Sequence, residues 1–138
     1  MPTLTSVHQG YNLFATEIGE HVVEVDIPLS KGGADRAPTA PQIFMASISS
    51  CIGTFAVEYC NRVGIDTTDL SVEVDFDLLE DPIRLGPMTV RILIPHADVG
   101  DRLEAVRRAG SQCTLHHTLD QFEGMTVEVL DRTALETA

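Results

Sequence analysis

The chain has 138 residues, 43% of them apolar, with 9 Lys and Arg against 21 Asp and Glu for a formal charge of -12. That length suits a single domain over residues 1–138, able to bury most of its unfolded surface without covalent staples. The negative charge argues against DNA, RNA and anionic membrane surfaces, which require clustered Lys and Arg.

Residues 6–18 and 21–27 read as two strands, the second alternating Val23, Val25 and Ile27 against Glu24 and Asp26. Gly19 and Glu20 join them as a hairpin. Pro28 to Pro38, rich in glycine and proline, is a loop that leads straight into the most distinctive stretch of the chain. From Thr39 to Val63 there is no charged side chain before Glu58, and Phe44, Ile48, Cys51, Ile52 and Phe55 recur at helical spacing on one face. The other faces are small: Ser47, Ser49, Ser50, Gly53 and Thr54, with mid-helix Gly53 indicating close packing. Thr39 and Gln42 form a capping box, Pro41 sits in the tolerated first turn, and Gly64 closes the helix. Its uncharged run approaches the roughly 20 residues a bilayer needs. The Ser, Thr, Gln and Pro content, and the lack of a basic flank, favour a central helix covered on nearly all sides in a soluble fold.

Leu70 to Leu78 alternates at period two, placing Leu70, Val72, Val74, Phe76 and Leu78 on one face, with Glu73, Asp75 and Asp77 on the solvated side. Glu80 to Pro87 is a wide turn into a strand from Met88 to Ile94, ended by Pro95. Asp98 to Ser111 has helical spacing, with Val99, Leu103, Val106 and Ala109 on its apolar side. Cys113-Thr-Leu-His-His-Thr-Leu lies at the frayed end of that helix or just past it. Met125 to Leu130 is a short strand, and Thr133 to Ala138 a loose tail. The order predicts an α+β fold with helices on one face of a sheet. So apolar a helix calls for a second covering surface, and a symmetric dimer supplies one.

Three cysteines, with no basic and apolar leader in Met-Pro-Thr-Leu-Thr-Ser, fit a reducing cytoplasm, where a cysteine pair is more often chemical than structural. Cys51 lies about three turns into the central helix, beyond the reach of that helix's own N-terminal dipole. It needs a cationic or hydrogen-bonding neighbour from elsewhere to become a thiolate. Cys60 is on the opposite face and roughly 13 Å along the axis, so any intrachain partner for Cys51 is Cys113. From the residue alone, Cys51 reads first as a small buried hydrophobe, and Cys60 is read as structural. His116 and His117 beside Cys113 do not make a metal site, since adjacent histidines point apart and no C-x-x-C accompanies them. A Cys-His hydrolase lacks a visible oxyanion-hole loop.

Ser-Ile-Ser-Ser-Cys51-Ile-Gly-Thr, with its proline-led helix start, Gly64-Ile65-Asp66, and Cys113-Thr-Leu-His-His-Thr-Leu119 together resemble the OsmC/Ohr family, the osmotically induced and organic hydroperoxide resistance proteins. The resemblance runs from about Gly33 to Leu130. It implies a strand-swapped homodimer, with two long central helices packed against six-stranded sheets and active sites at the subunit interface. It also implies a thiol peroxidase: Cys51 attacks an organic hydroperoxide, Cys113 condenses with the sulfenate, and a dithiol, often a lipoyl group, reduces the disulfide without metal, flavin or other cofactor. Phe44, Met45, Ile48, Ile52 and Phe55 would line an apolar substrate pocket. The family's peroxidatic members carry a glutamate ten residues before the cysteine, which orients an arginine; Pro41 stands there, beside Gln42. Arg36 is the expected cation, with Lys31 as the other candidate. A histidine, His116 or His117, could supply the positive charge instead. The alternative is a non-catalytic dimer of the same fold that holds a small apolar ligand in its interface cleft.

Overall fold

The structure, a computed structural model, describes residues 2–137. Strands β1 (Ser6–His8), β2 (Phe14–Ile18) and β3 (His21–Val25) form an antiparallel sheet in that order. The first predicted strand is therefore two. Gly10 at φ 102° and Tyr11 at φ 49° reverse the chain between them, conformations that no strand ladder accommodates. The predicted hairpin joins β2 to β3 through Gly19 at φ 63°.

Helix α1 (Ala40–Val63) begins and ends where its caps place it. The Thr39 hydroxyl accepts the Gln42 N–H at 3.3 Å, and the Gln42 side chain accepts the Thr39 N–H at 2.9 Å. Gly64, at φ 78°, turns its N–H onto the Cys60 carbonyl. Strands β4 (Ser71–Leu79) and β5 (Arg84–Leu93) form a second, two-stranded sheet. Val72 faces Ile92 and Val74 faces Val90 across it, while Arg91 pairs with Glu73 and Asp75 on the other side. A register shift between Phe76 and Leu78 ends the alternation early, leaving those two residues 46% and 61% exposed. Helices α2 (Leu103–Gly110), α3 (Thr114–Asp120) and α4 (Arg132–Thr137) follow.

The core runs along α1 in two clusters. Ile48, Ile52 and Cys113 pack with Val72, Met88, Val90, Ile92 and Leu115, while Ala56, Cys60 and Val106 pack with Ile65, Ile94 and Val99. Gly53 explains the close approach of α1 to β4: a Cβ there would lie 3.2 Å from the Val72 Cγ2. The helix is not covered on all sides by its own chain. Ser47, Ser50, Thr54 and Glu58 are exposed, and the Ser50 and Thr54 hydroxyls fold back onto the Ala46 and Ser50 carbonyls at 2.8 and 2.9 Å.

Other expectations shift for physical reasons. Leu103 is 65% exposed, because Val106 and Gly110 carry the buried face of α2. Residues 125–130 form no strand and pair with no other strand among the described residues, with Met125, Val127 and Val129 all more than 80% exposed; a strand exists only where a ladder partner meets it. The predicted loose tail is helical as far as Thr137, started by the Asp131 side chain accepting the Ala134 N–H at 3.0 Å; Ala138 lies outside the described residues. Asp26, placed on a solvated strand face by alternation, is fully buried.

Candidate active site

The chain reaches Cys51 from two directions. Cys51 is midway along α1 and partly exposed, held in place by the Ile48 and Ile52 anchors on either side. The second arm arrives through the end of α2. Gly110 is buried so tightly that a Cβ would lie 3.0 Å from Ile92 Cδ1 and 3.1 Å from Ile52 Cγ2. From there, two turns tighten the chain: Gln112 N–H donates to the Ala109 carbonyl at 3.1 Å, and Cys113 N–H to the Gly110 carbonyl at 3.2 Å. Cys113, with no exposed surface, then occupies the N-cap of α3. The residues after Gly110 thus cross α1 where Cys51 and Ile52 sit.

Both thiols are free and packed in one cluster, and their environments shift their pKa values in opposite directions. Burial alone would raise the Cys51 thiol. Hydrogen bonds from the Cys113 thiol and from the Leu115 and Thr114 backbone N–H groups outweigh it, leaving the Cys51 pKa below its ordinary value. Cys113 goes the other way. Burial, together with its bond to the Cys51 sulfur, raises it despite the N–H groups of His116 and Leu115. The first N–H groups of a helix have no intrahelical acceptor, and here sulfur takes that place. These directions make Cys51 the more acidic thiol of the two. Cys60, buried and without such donors, has its pKa raised by burial.

The hydrogen-bonding neighbours that Cys51 needed are the Cys113 thiol and, after it, the backbone of α3. The sequence signal lay in Leu115 and Leu119, spaced for a helical turn directly after Cys113, yet the nearby Gly110 read as an ending. Among the described residues, no imidazole acts on the Cys51 sulfur: His116 meets Asp120 at 3.5 Å, and its ring stacks on His117 at 6.3 Å. Arg36 is engaged elsewhere, with its Nε 3.1 Å from the buried Asp26. Lys31 ends a short 3-10 turn, Leu29–Lys31, and takes no part at Cys51.

The five expected pocket residues divide. Ile48 and Ile52 line a cavity of about 360 Å³ with Met88, Val90, Ile92 and Leu119, and Arg107 and His116 also line it. Phe55 packs against the cysteine cluster, Met45 is buried, and Phe44 is 38% exposed. Neither Cys51 nor Cys113 lines that cavity. Cys51 itself is partly exposed, whereas Cys113 is buried.

A long helix packed on antiparallel strands, carrying a partly exposed thiol in one cluster with a second cysteine, defines a cysteine-pair protein of the α+β class. Residues 32–129 match the sequence model of the OsmC-like protein family, and the chain belongs to that family. No curated protein matches it. Among solved structures, it is similar to an osmotic stress induced and detoxification response protein of Psychrobacter arcticus. That match has a TM-score of 0.75 at 18% identity, covering 86% of this chain and 88% of that one. The organic hydroperoxide resistance protein OsmC of Legionella pneumophila matches with a TM-score of 0.63 at 21% identity, covering 86% and 90%. An organic hydroperoxide resistance protein of Elizabethkingia anophelis gives 0.63 at 18%, covering 88% and 91%.

Proposed function

We propose that the protein reduces organic hydroperoxides, with Cys51 as nucleophile and Cys113 as the thiol that resolves it. The observation that carries this reading is a partly exposed thiol, Cys51, packed in one cluster with a second free thiol, Cys113, with their pKa values shifted in opposite directions. The Cys51 thiolate attacks the terminal peroxide oxygen and the O–O bond breaks. The alkoxide leaves as an alcohol after taking a proton, and Cys51 becomes a sulfenic acid. Cys113 then attacks that sulfur; its proton leaves with the hydroxyl as water, and a disulfide forms. A dithiol such as a lipoyl group restores both thiols and is itself oxidised to a disulfide. The apolar side chains around Cys51 favour alkyl hydroperoxides over hydrogen peroxide.

The working unit in this reading is a cytoplasmic homodimer. Three observations support the second copy: the exposed Ser47, Ser50 and Thr54 face of a long apolar helix, a β1–β3 sheet with little packed on it, and an exposed 125–130 segment without a partner strand. Titrating the reduced protein with one equivalent of cumene hydroperoxide tests the proposal. Two of the three thiols should disappear, with Cys51 joined to Cys113 in a peptide map. The second reading, a dimer that holds a small apolar ligand, draws on the cavity that neither cysteine lines. Unchanged thiols after the titration would select it.

A further inference from the structure

The β1–β3 sheet stands as an arm, joined to the rest of the fold through the segment between Val25 and Ala40 and packed hardly at all against α1, β4 or β5. Something must set its direction, and one buried group has the contacts to do so. Asp26 has no exposed surface, and both its oxygens are engaged. Oδ1 accepts the Ile27 N–H at 2.9 Å, while Oδ2 accepts the Arg36 N–H and the Arg36 Nε–H, each at 3.1 Å. The Asp26 N–H in turn donates to the Pro38 carbonyl at 3.0 Å, and the Asp35 N–H to the Ile27 carbonyl at 3.0 Å. The joining segment is therefore closed into a loop whose two ends touch. Gly33 makes that closure sterically possible, because a Cβ there would lie 2.0 Å from the Ile27 carbonyl oxygen.

Arg36 extends the grip to the neighbouring turn at the same end of the arm, since Phe14 pairs with Val25. Its Nη2 donates to the Gly10 carbonyl at 3.3 Å, and its guanidinium lies 6.0 Å from the centre of the Tyr11 ring, in the turn between β1 and β2. One guanidinium thus ties the root of α1 to Asp26, at the end of β3, and to the β1–β2 turn beside it. We propose that Asp26 and Arg36 form a latch that fixes the arm's direction and presents it, preformed, as the surface that docks on a second copy of the chain. This rests on the dimer reading above. A preformed arm docks without first losing conformational freedom, which is how rigidity adds to affinity.

The test compares full-length wild type with Asp26→Asn, using the exposed neighbour Asp35→Asn as control, by hydrogen exchange and sedimentation. The amide introduced at position 26 turns an N–H₂ toward the Arg36 donors. Exchange across 26–38 and 9–13 should rise at least tenfold with α1 unchanged, the dimer dissociation constant should rise at least tenfold, and the control should match wild type. Wild-type exchange in Asp26→Asn overturns the latch. Raised exchange with a dissociation constant within twofold of wild type overturns the docking role. A wild type that is monomeric at every concentration overturns that role and the dimer reading together, while exchange still reports the latch separately. If Asp26→Asn unfolds α1 as well, Arg36→Lys decides: a single ammonium cannot hold Asp26 and Gly10 together, so exchange at 9–13 rises, and no change there overturns the latch.

Discussion

Replacing Thr114 with proline isolates the source of Cys51 reactivity. Thr114 is the first residue of α3, where proline is tolerated because the N–H it removes has no intrahelical acceptor. The preceding residue must then be extended, and Cys113 already is, at φ -52° and ψ 129°. The helix should therefore persist while one of the two backbone donors to the Cys51 sulfur is lost. A hydrogen bond to a charged group is worth about 1.5–3 kcal/mol, and 1.4 kcal/mol corresponds to about tenfold in an equilibrium. The thiolate fraction at a pH below the thiol pKa should thus fall about tenfold or more, and the titration midpoint should move up. The assay is the rate of iodoacetamide alkylation at Cys51 against pH, read by peptide mapping, with Thr114→Ala, which keeps the N–H, as control. An unchanged midpoint in Thr114→Pro, with α3 intact, would refute activation by the α3 backbone.

Three further outcomes follow from the packing and the charges. Gly110→Val drives methyl groups into Ile52 and Ile92, and should cost about 1–3 kcal/mol of stability in denaturant unfolding. It should also slow disulfide formation between Cys51 and Cys113, measured by quenched-flow mapping, by moving the α2–α3 corner off α1. Cys60→Ser buries a hydroxyl among Ala56, Val106 and their neighbours, and should lower stability by about 1–3 kcal/mol. It should leave the number of peroxide-sensitive thiols unchanged. Burial acts to raise the Asp26 carboxyl, but the Arg36 and Ile27 N–H groups and the Arg36 guanidinium hold it below its ordinary value. A carboxyl lowered in the fold stabilises above its unfolded pKa of about 3.9 and loses that contribution as pH falls through the folded value. Urea unfolding midpoints should therefore drop below about pH 4 in wild type, and less steeply in Asp26→Asn.

What could be read in the residues was what local chemistry dictates. Thr39, Gln42 and Gly64 placed both ends of α1 because caps are decided within a few residues, and the β4–β5 face followed from alternation. Gly53 announced a close contact because a mid-helix glycine has few other uses. Elements that depend on distant partners were not legible. Asp26 looked like one more acidic residue on a strand until Arg36, ten residues on, was folded against it. Residues 125–130 carry a strand's alternation, but the chain offers them no ladder. At the site, elimination along α1 left Cys113 as the available partner for Cys51, and the family resemblance added its role. Beside the Cys113 thiol, the donors that lower the Cys51 thiol are main-chain groups, which leave no residue type to recognise.

Trapping the first oxidation product tests the central claim most directly. Cys113→Ser, treated with one equivalent of cumene hydroperoxide and then dimedone, should carry the sulfenic-acid adduct on Cys51 and on no other residue. An adduct on Cys60, or none on Cys51 while the peroxide is consumed, would contradict the assignment of Cys51 as the nucleophile.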